Sequence, residues 1–518
     1  MNRTIDLKNK NYQLELEKHL TDTVKQSTII FLGKIIGYIL GFLLTLIIAK
    51  YFGSKIMGQY TLTKSILSFV SVFTVFGLNN GLVKYIPKYL SINELDKYKS
   101  VIKIIFLYCS IFSLIGSLII FIFKGFIAIN IFNDFELKNI LFYASWLIIP
   151  LTYNKIFGGV YRGVKKTGYY ETANQVLKRL LFIVSLLSLV LFDLKNTKFI
   201  FILFLISEIS ISIYLFIMSK KIGVNLRNII FDFTIKKLNK SKIFLFSTKV
   251  LFINFMSTIL TRADKIMLGL YLSSEIVGVY SIAAKLVIII GFLHDSFKKI
   301  FSTIISELYS QDKLAMLGEL YSSITKWIII FSLPIVINMI IFSKSILNFF
   351  GEEYLTGATS LIILSIGYTI KVFVGSNGYI LKMSNHENLV LYNDIVMVIT
   401  NIFLNILLIP KLGILGAALA TSIAISVLNI VKLIQVKYYL NIFPYSKNYY
   451  HICINLILVT IFSLLTKMFF ENFIVFLICT SISILFSFGI SYFFRDDLDR
   501  FLINKFKIKL RNLILEGD

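Results

Sequence analysis

The sequence predicts an all-α polytopic membrane protein of about fourteen transmembrane helices: two parallel-repeat six-helix lobes plus a C-terminal helix pair. Three observations predict it. Apolar stretches of about 20 residues recur from end to end, each long enough to cross a ~30 Å hydrocarbon core. Lys and Arg alternate in density from one loop to the next. One ten-residue pattern occurs twice, 220 positions apart, between 51–60 and 271–280.

Of the 518 residues, 57% are hydrophobic, above the ~45–50% of soluble domains. Apolar runs place spans at 27–50, 60–83, 101–123, 139–157, 176–193, 198–218, 243–270, 277–297, 324–343, 357–380, 388–409, 412–431, 451–470 and 473–494. Residues 1–26 are polar, with no apolar core before Ile29; they read as a cytoplasmic N-terminal tail rather than a cleaved signal peptide. Spans one to six make an N-lobe, 27–218, and the basic segment 219–242 reads as a cytoplasmic linker. Spans seven to twelve make a C-lobe, 243–436. Residues 451–494 are the extra helices and 495–518 a cytoplasmic C-terminal tail.

Fourteen is even, so both termini share one side. Counted by alternating loops, 36 Lys and Arg fall on the side of the termini and 9 on the other. The positive-inside rule then makes both termini cytoplasmic, in the cytoplasmic membrane. The net charge of +25 follows from that topology and from contact with anionic lipid; no nucleic-acid partner is implied.

The longest outer loop, near 124–138, is too short for an enzyme domain. No G-x-x-x-x-G-K-[ST] loop occurs, so no ATPase is recognisable. His19, His294, His386 and His451 are scattered, and Cys109, Cys453 and Cys479 sit in or beside apolar runs, which argues against a disulfide framework or a metal site. "RDDLDR" at Arg495–Arg500 reads as a charged cap after the last span.

The repeated pattern is Y-x-x-S-x-I-x-G-x-Y, as "YFGSKIMGQY" and "YLSSEIVGVY". Each copy joins the first two spans of its lobe, and six spans separate them, so the lobes share one orientation. Folds of this kind bind substrate between the lobes and rock one against the other.

With the cations at span ends counted among the 36 and 9 of the loops, eight remain within the spans: Lys34, Lys64, Lys155, Lys249, Arg262, Lys265, Lys285 and Lys371. The acidic residues there are fewer, Glu208, Asp264 and Asp394, with Asp295 near a span end. A charge at mid-bilayer costs roughly 2.5–3.5 kcal/mol even on the insertion scale. Such groups therefore face a watery cavity or a partner, or snorkel to the interface where they lie near a span end, as Lys34, Lys155, Lys249, Lys64, Arg262 and Lys265 do. The excess of cations matches an anionic cargo, and a phosphate or pyrophosphate on a lipid fits lysine chemistry. Lys34, Lys64, Lys249, Arg262, Lys265, Lys285 and Lys371 are the candidate cargo-binding residues. Glu208, Asp264 and Asp394 are candidates for ion coupling to H⁺ or Na⁺, with direct action of the membrane potential as the alternative; no other cofactor is expected. Arg262 and Lys265 are three apart and share a helix face, with Asp264 more than a quarter-turn away. The equivalent residues of the first lobe, Thr45 to Ile48, carry no charge.

The chain resembles the polysaccharide-transporter family of flippases, in the superfamily that also holds MATE drug exporters and lipid II flippases. The resemblance rests on "TLIIAKYFGSKIMGQYTL", "GLNNGLVKYIPKY", "VYRGVKKTGYYETANQVLKRLL", "TRADKIMLGLYLSSEIVGVYSIAAKL" and "PKLGILGAALATSIA", in that order. It implies a V-shaped pair of lobes working by alternating access. It also implies a polyprenyl-phosphate- or pyrophosphate-linked oligosaccharide as cargo, turned from the inner to the outer leaflet, and membrane lipids, glycosyltransferases and a polysaccharide polymerase as partners of a monomeric, non-enzymatic transporter. By similarity to the lipid II branch, the last two helices would form a groove for the lipid tail. The rival functions are lipid II flippase, MATE-type exporter of cationic drugs, and membrane glycosyltransferase or polymerase.

Overall fold

The computed structural model describes the backbone of residues 2–231, 238–445 and 449–493, with all side chains among them except those of 2–29, 31, 231, 292–303, 450 and 493. The capping sequence Arg495–Arg500, the C-terminal tail and part of the expected linker lie outside the described residues, as do the side chains of the N-terminal tail, His294 and Asp295.

Among the described residues, thirteen helices are long and apolar enough to cross a membrane. The first of these, Leu32–Val75, has 44 residues. At 1.5 Å rise it is about 66 Å long, twice a bilayer core. It belongs to α1 (Asn2–Val75) and breaks at Gly53, where φ is 83° and ψ 175°. That conformation is essentially restricted to glycine. The break divides it into two segments each long enough to cross a membrane, so the described residues hold fourteen such segments, in line with the apolar periods.

Several expected spans are interrupted. The second stops at Val75 because Phe76 and Gly77 both take left-handed φ, 50° and 68°, and α2 (Leu78–Ser91) restarts from there. After α3 (Leu95–Gly125) and a π-helical turn, α4 (Phe135–Gly163) follows. The fifth span is composite: α5 (Thr167–Thr172), a π-helical segment Ala173–Leu177, then α6 (Lys178–Leu191). The sixth is α7 (Thr197–Met218), followed by the short α8 (Leu226–Phe231).

Next come α9 (Lys240–Tyr271), α10 (Ser274–Ser310), α11 (Leu314–Ile341) and α12 (Ser343–Asn348). The tenth span divides at Gly375 into α13 (Ala358–Val374) and α14 (Asn377–Met383). The chain continues through α15 (Glu387–Leu412), α16 (Ile414–Leu440), α17 (Tyr450–Phe469) and α18 (Phe473–Phe493).

Two compact units result, Met1–Arg262 and Ala263–Asp518. In the first, the apolar core gathers Leu78, Leu82, Val101, Ile105, Phe157 and Leu215 from α2, α3, α4 and α7. Residues of α9 pack onto it: Phe244 lies 4.8 Å from the Tyr108 ring and Phe255 5.4 Å from that of Phe73. In the second unit α17 and α18 dock on α11 through small polar groups as well as aromatic rings. Ser487 Oγ donates to Asn455 Oδ1 at 3.0 Å, and Asn338 Nδ2 donates to Ser483 Oγ at 3.5 Å. In lipid, where apolar faces gain nothing from meeting each other, such bonds and close packing hold helices together.

Each unit holds one copy of the repeat, and three of the five shared residues are buried in both: Ser54 and Ser274, Gly58 and Gly278, Tyr60 and Tyr280. The turns differ. The first is the Gly53 break, tied down when Tyr51 donates to Asp193 Oδ1 at 2.6 Å and Lys55 pairs with Glu136 at 2.9 Å. The Tyr51 hydrogen bond, with Lys195 nearby, holds the Asp193 carboxyl below the usual carboxylate range. The tie therefore persists above the ordinary aspartate pKa and is lost as pH falls through the lowered value. In the second copy Ser273 caps α10 by accepting from the Ile276 amide.

Gly53→Ala forces a side chain into the glycine-only region. It is expected to lower stability by about 1–3 kcal/mol. Gly489→Ala, which meets nothing within 4 Å, serves as the control. Thermal unfolding of the two purified variants checks this, and equal melting temperatures would contradict it.

Candidate functional site

Charged side chains inside the first unit converge on one carboxylate. Glu208, on α7, is 1% exposed. Its Oε1 lies 3.2 Å from Lys178 Nζ, and its Oε2 accepts from Asn154 Nδ2 at 2.6 Å. Ser212 Oγ donates to Asn154 Oδ1 at 2.8 Å, which fixes the amide. From α4, Lys155 Nζ donates to Ser71 Oγ of α1. Lys178, Glu208 and Arg262 all lie within electrostatic reach of Lys155.

Tyr60, buried among the rings of Phe182, Phe201 and Phe204, is within electrostatic reach of Glu208, Arg179 and Arg262. Lys64 Nζ donates to its hydroxyl at 3.2 Å and lies 4.9 Å from its ring centre. The elements explain the convergence. The π-helical segment Ala173–Leu177 immediately precedes Lys178 and Arg179, and such bulges shift the register of the side chains that follow. Arg179 reaches α1, where its guanidinium donates to the Gly37 carbonyl. Gly37 and Gly41 form the notch it enters; a Cβ there would lie 3.2 and 3.1 Å from the guanidinium.

Lys34 is half-buried on α1, one turn before Gly37, and Lys249 is exposed on α9. Neither enters the hydrogen bonds around Glu208. A cavity of about 830 Å³ in this unit, lined by Tyr98, Lys99, Asn225, Arg227 and Asn228 among others, shares no residue with the cluster.

The second unit is built differently. Asp264, nearly buried on α9, accepts from the Lys265 amide at 2.9 Å and faces the Lys265 ammonium at 3.7 Å. The Tyr280 hydroxyl lies beside Asp264 and Thr421 without meeting hydrogen-bond geometry to either. Asn401 Nδ2 donates to Thr421 Oγ1 at 3.3 Å, and Asn405 Nδ2 donates to Asn401 Oδ1 at 3.1 Å, leaving Asn405 Oδ1 buried without a hydrogen bond. The result is a chain of polar side chains from α10, α15 and α16 that leads by way of Tyr280 to the Asp264 carboxylate.

Lys371 lies 5.4 Å from the Tyr368 ring on α13, its ammonium near Gly291, while Lys285 is exposed on α10. Asp394 is taken up by Lys432, 2.8 Å away.

Four cations assigned to loops by the sequence lie inside helices: Lys178, Arg179, Lys326 and Lys432. Lys326 is 2% exposed. Each lies within a turn of the end of its expected span, so periodicity alone places it at the boundary. The signal that finds Lys178 is the buried Glu208, which needs a counter-ion.

Residues 23–298 match the model of a family described as polysaccharide biosynthesis protein, and residues 250–407 match the MatE model. An uncharacterized membrane protein of Methanocaldococcus jannaschii is 28% identical over 451 residues, 84% of this chain and 87% of its own length. A probable low-salt glycan biosynthesis flippase of Haloferax volcanii is 23% identical over 411 residues, 78% of this chain and 82% of its own. Among solved structures, the lipid II flippase MurJ in an inward closed conformation superposes with a TM-score of 0.70 at 20% identity, over 92% of this chain and 99% of that one. An inward-facing multidrug-resistance MATE transporter of the MOP superfamily gives 0.65 at 15% identity, over 78% and 94%. The fold is thus that of MOP-superfamily transporters.

The Lys432–Asp394 pair offers a test of the second unit. Asp394→Asn strands a buried ammonium and is expected to cost about 1–3 kcal/mol, less than a fully buried pair because Asp394 is nearly half exposed. Adding Lys432→Met should restore most of that loss. Thermal unfolding of the single and double variants measures it; a double variant no more stable than the single contradicts the pairing.

Proposed function

Because the chain belongs to the polysaccharide biosynthesis protein family, matched over just over half its length, we propose that it is a flippase rather than an enzyme. Its cargo in this reading is a polyprenyl-(pyro)phosphate-linked oligosaccharide, carried by alternating access from the inner to the outer leaflet of the cytoplasmic membrane, with both termini cytoplasmic. The observation that supports the reading is the pairing of Lys178 with the buried Glu208, with Lys155 in electrostatic reach of that carboxylate and Arg179 and Arg262 in reach of the neighbouring Tyr60, inside the first unit. Such a charge imbalance suits an anionic head group. A site for cationic drugs would carry the opposite excess.

The name of the Haloferax relative, a glycan biosynthesis flippase, supports the same cargo class. The phosphate would meet lysines at each stage, Lys34 and Lys249 among them on one side and Lys285, Lys371 and Lys265 in the second unit, while the prenyl tail stays in lipid. Each contact must be weak enough to release. Asp264, with Tyr280, Thr421, Asn401 and Asn405, is the place where H⁺ or Na⁺ would couple to the cycle. Glycosyltransferases would supply the cargo on one face and a polymerase would consume it on the other.

Purified protein in liposomes carrying a fluorescent polyprenyl-pyrophosphate oligosaccharide tests the proposal. Flipping is read as access of an outside quencher to label that began inside. Lys285→Gln with Lys371→Gln is expected to slow flipping about tenfold, a 1.4 kcal/mol effect, with the melting temperature unchanged. Asp264→Asn should remove the response to a Na⁺ or pH gradient. No flipping by the native chain would sink the reading.

A further inference from the structure

Glu208 is an expensive residue to keep. It is almost completely buried in a lipid-spanning bundle, where an ionised carboxylate persists only with partners. Its two oxygens have them: the Lys178 ammonium on one and the Asn154 amide on the other. A purely structural ion pair would end there. Here Lys155 is within electrostatic reach of the same carboxylate, and Arg179 and Arg262 are within reach of Tyr60, which Glu208 also reaches. The two partners are also unequally exposed: the Lys178 side chain keeps 21% of its surface while Glu208 keeps 1%. The lysine end of the pair is the more accessible one.

The neighbouring arginine is fixed. Arg179 is wedged into the Gly37–Gly41 notch with its guanidinium on a backbone carbonyl, and that bond uses one of its five N–H groups. Lys178 is different, a flexible stem ending in a point charge that can change partner without moving a helix.

We infer that Glu208 is an exchangeable counter-ion: it holds the Lys178 ammonium until a phosphate or pyrophosphate group displaces it, with Arg179, Lys155 and Arg262 completing the anion site. The inference rests on the flippase reading for the cargo class and adds where in the first unit the charge is taken up. A pyrophosphate carries more charge than a carboxylate and accepts more hydrogen bonds, so it wins the ammonium while it is present. On its departure Glu208 recaptures Lys178, which gives release a driving force. The carboxylate thus lowers affinity and speeds turnover.

The experiment uses the full chain in nanodiscs, with inorganic pyrophosphate as the probe and calorimetric titration as the readout. Removing the competitor with Glu208→Gln, which keeps an oxygen for the Asn154 amide, is expected to tighten pyrophosphate binding about tenfold, a modest share of the attraction between charges ~4 Å apart. Lys178→Gln should weaken it by a similar factor. Unchanged or weaker binding by Glu208→Gln overturns the inference.

Should that variant fail to fold, acetylation footprinting of the native chain decides. Pyrophosphate is expected to slow modification of Lys178 and not that of Lys432, whose partner Asp394 lies in the other unit; equal rates at Lys178 with and without pyrophosphate overturn it. Pyrophosphate responses without flipping of the lipid-linked sugar would leave this site standing and remove the flippase reading. Flipping that is indifferent to Glu208→Gln would do the reverse.

Discussion

A hydrocarbon interior offers no hydrogen-bond partner, and every other feature of this molecule follows from that constraint. Backbone groups must be satisfied within each segment, so the chain crosses as helices. Breaks in those helices are confined to places where something else takes over. At Gly53 the Tyr51–Asp193 and Lys55–Glu136 ties hold the turn. At Phe76 and Gly77 the chain abuts α9, whose Ser247 carbonyl lies against Gly77. The same rule governs side chains: a charge in a span must be paired, hydrated or functional, and Glu208, Asp264 and Asp394 each sit against a lysine.

The two units start from one pattern and diverge in chemistry. Both bury the serine, glycine and final tyrosine of the repeat. Around Tyr60 the first unit assembles cations and a single carboxylate; around Tyr280 the second assembles neutral oxygens beside Asp264. An anion suits the first environment and a small cation or proton the second. A duplicated bundle lets each half carry its own chemistry without disturbing the packing of the other.

The apolar patterning made the fold legible. Fourteen crossings, the long loops of one charge sign and the parallel repeat could all be read from the linear sequence, because lipid imposes one rule on every residue in a span. The residues of "LTRADKIMLG" show where such reading ends. Arg262 closes the first unit and lies near Tyr60 and Lys155, whereas Asp264 and Lys265 belong to the second. Three charges that look like one cluster along the helix serve two different neighbourhoods.

What the sequence by itself determined was the membrane class, the number of crossings, the family resemblance and the surplus of interior cations, since all of these depend on composition and on periods along one chain. Tertiary structure alone decided which charges meet. Lys178 and Arg179 sit at the edge of an apolar run and look like loop residues; the π-helical segment before them and the glycine notch of α1 bring them inside. Asp394, a candidate for ion coupling on sequence grounds, is paired with Lys432, 38 residues on and 2.8 Å away. Pairing across helices depends on how faces rotate and pack against one another, and that rotation is fixed by contacts between distant segments, which no local pattern records.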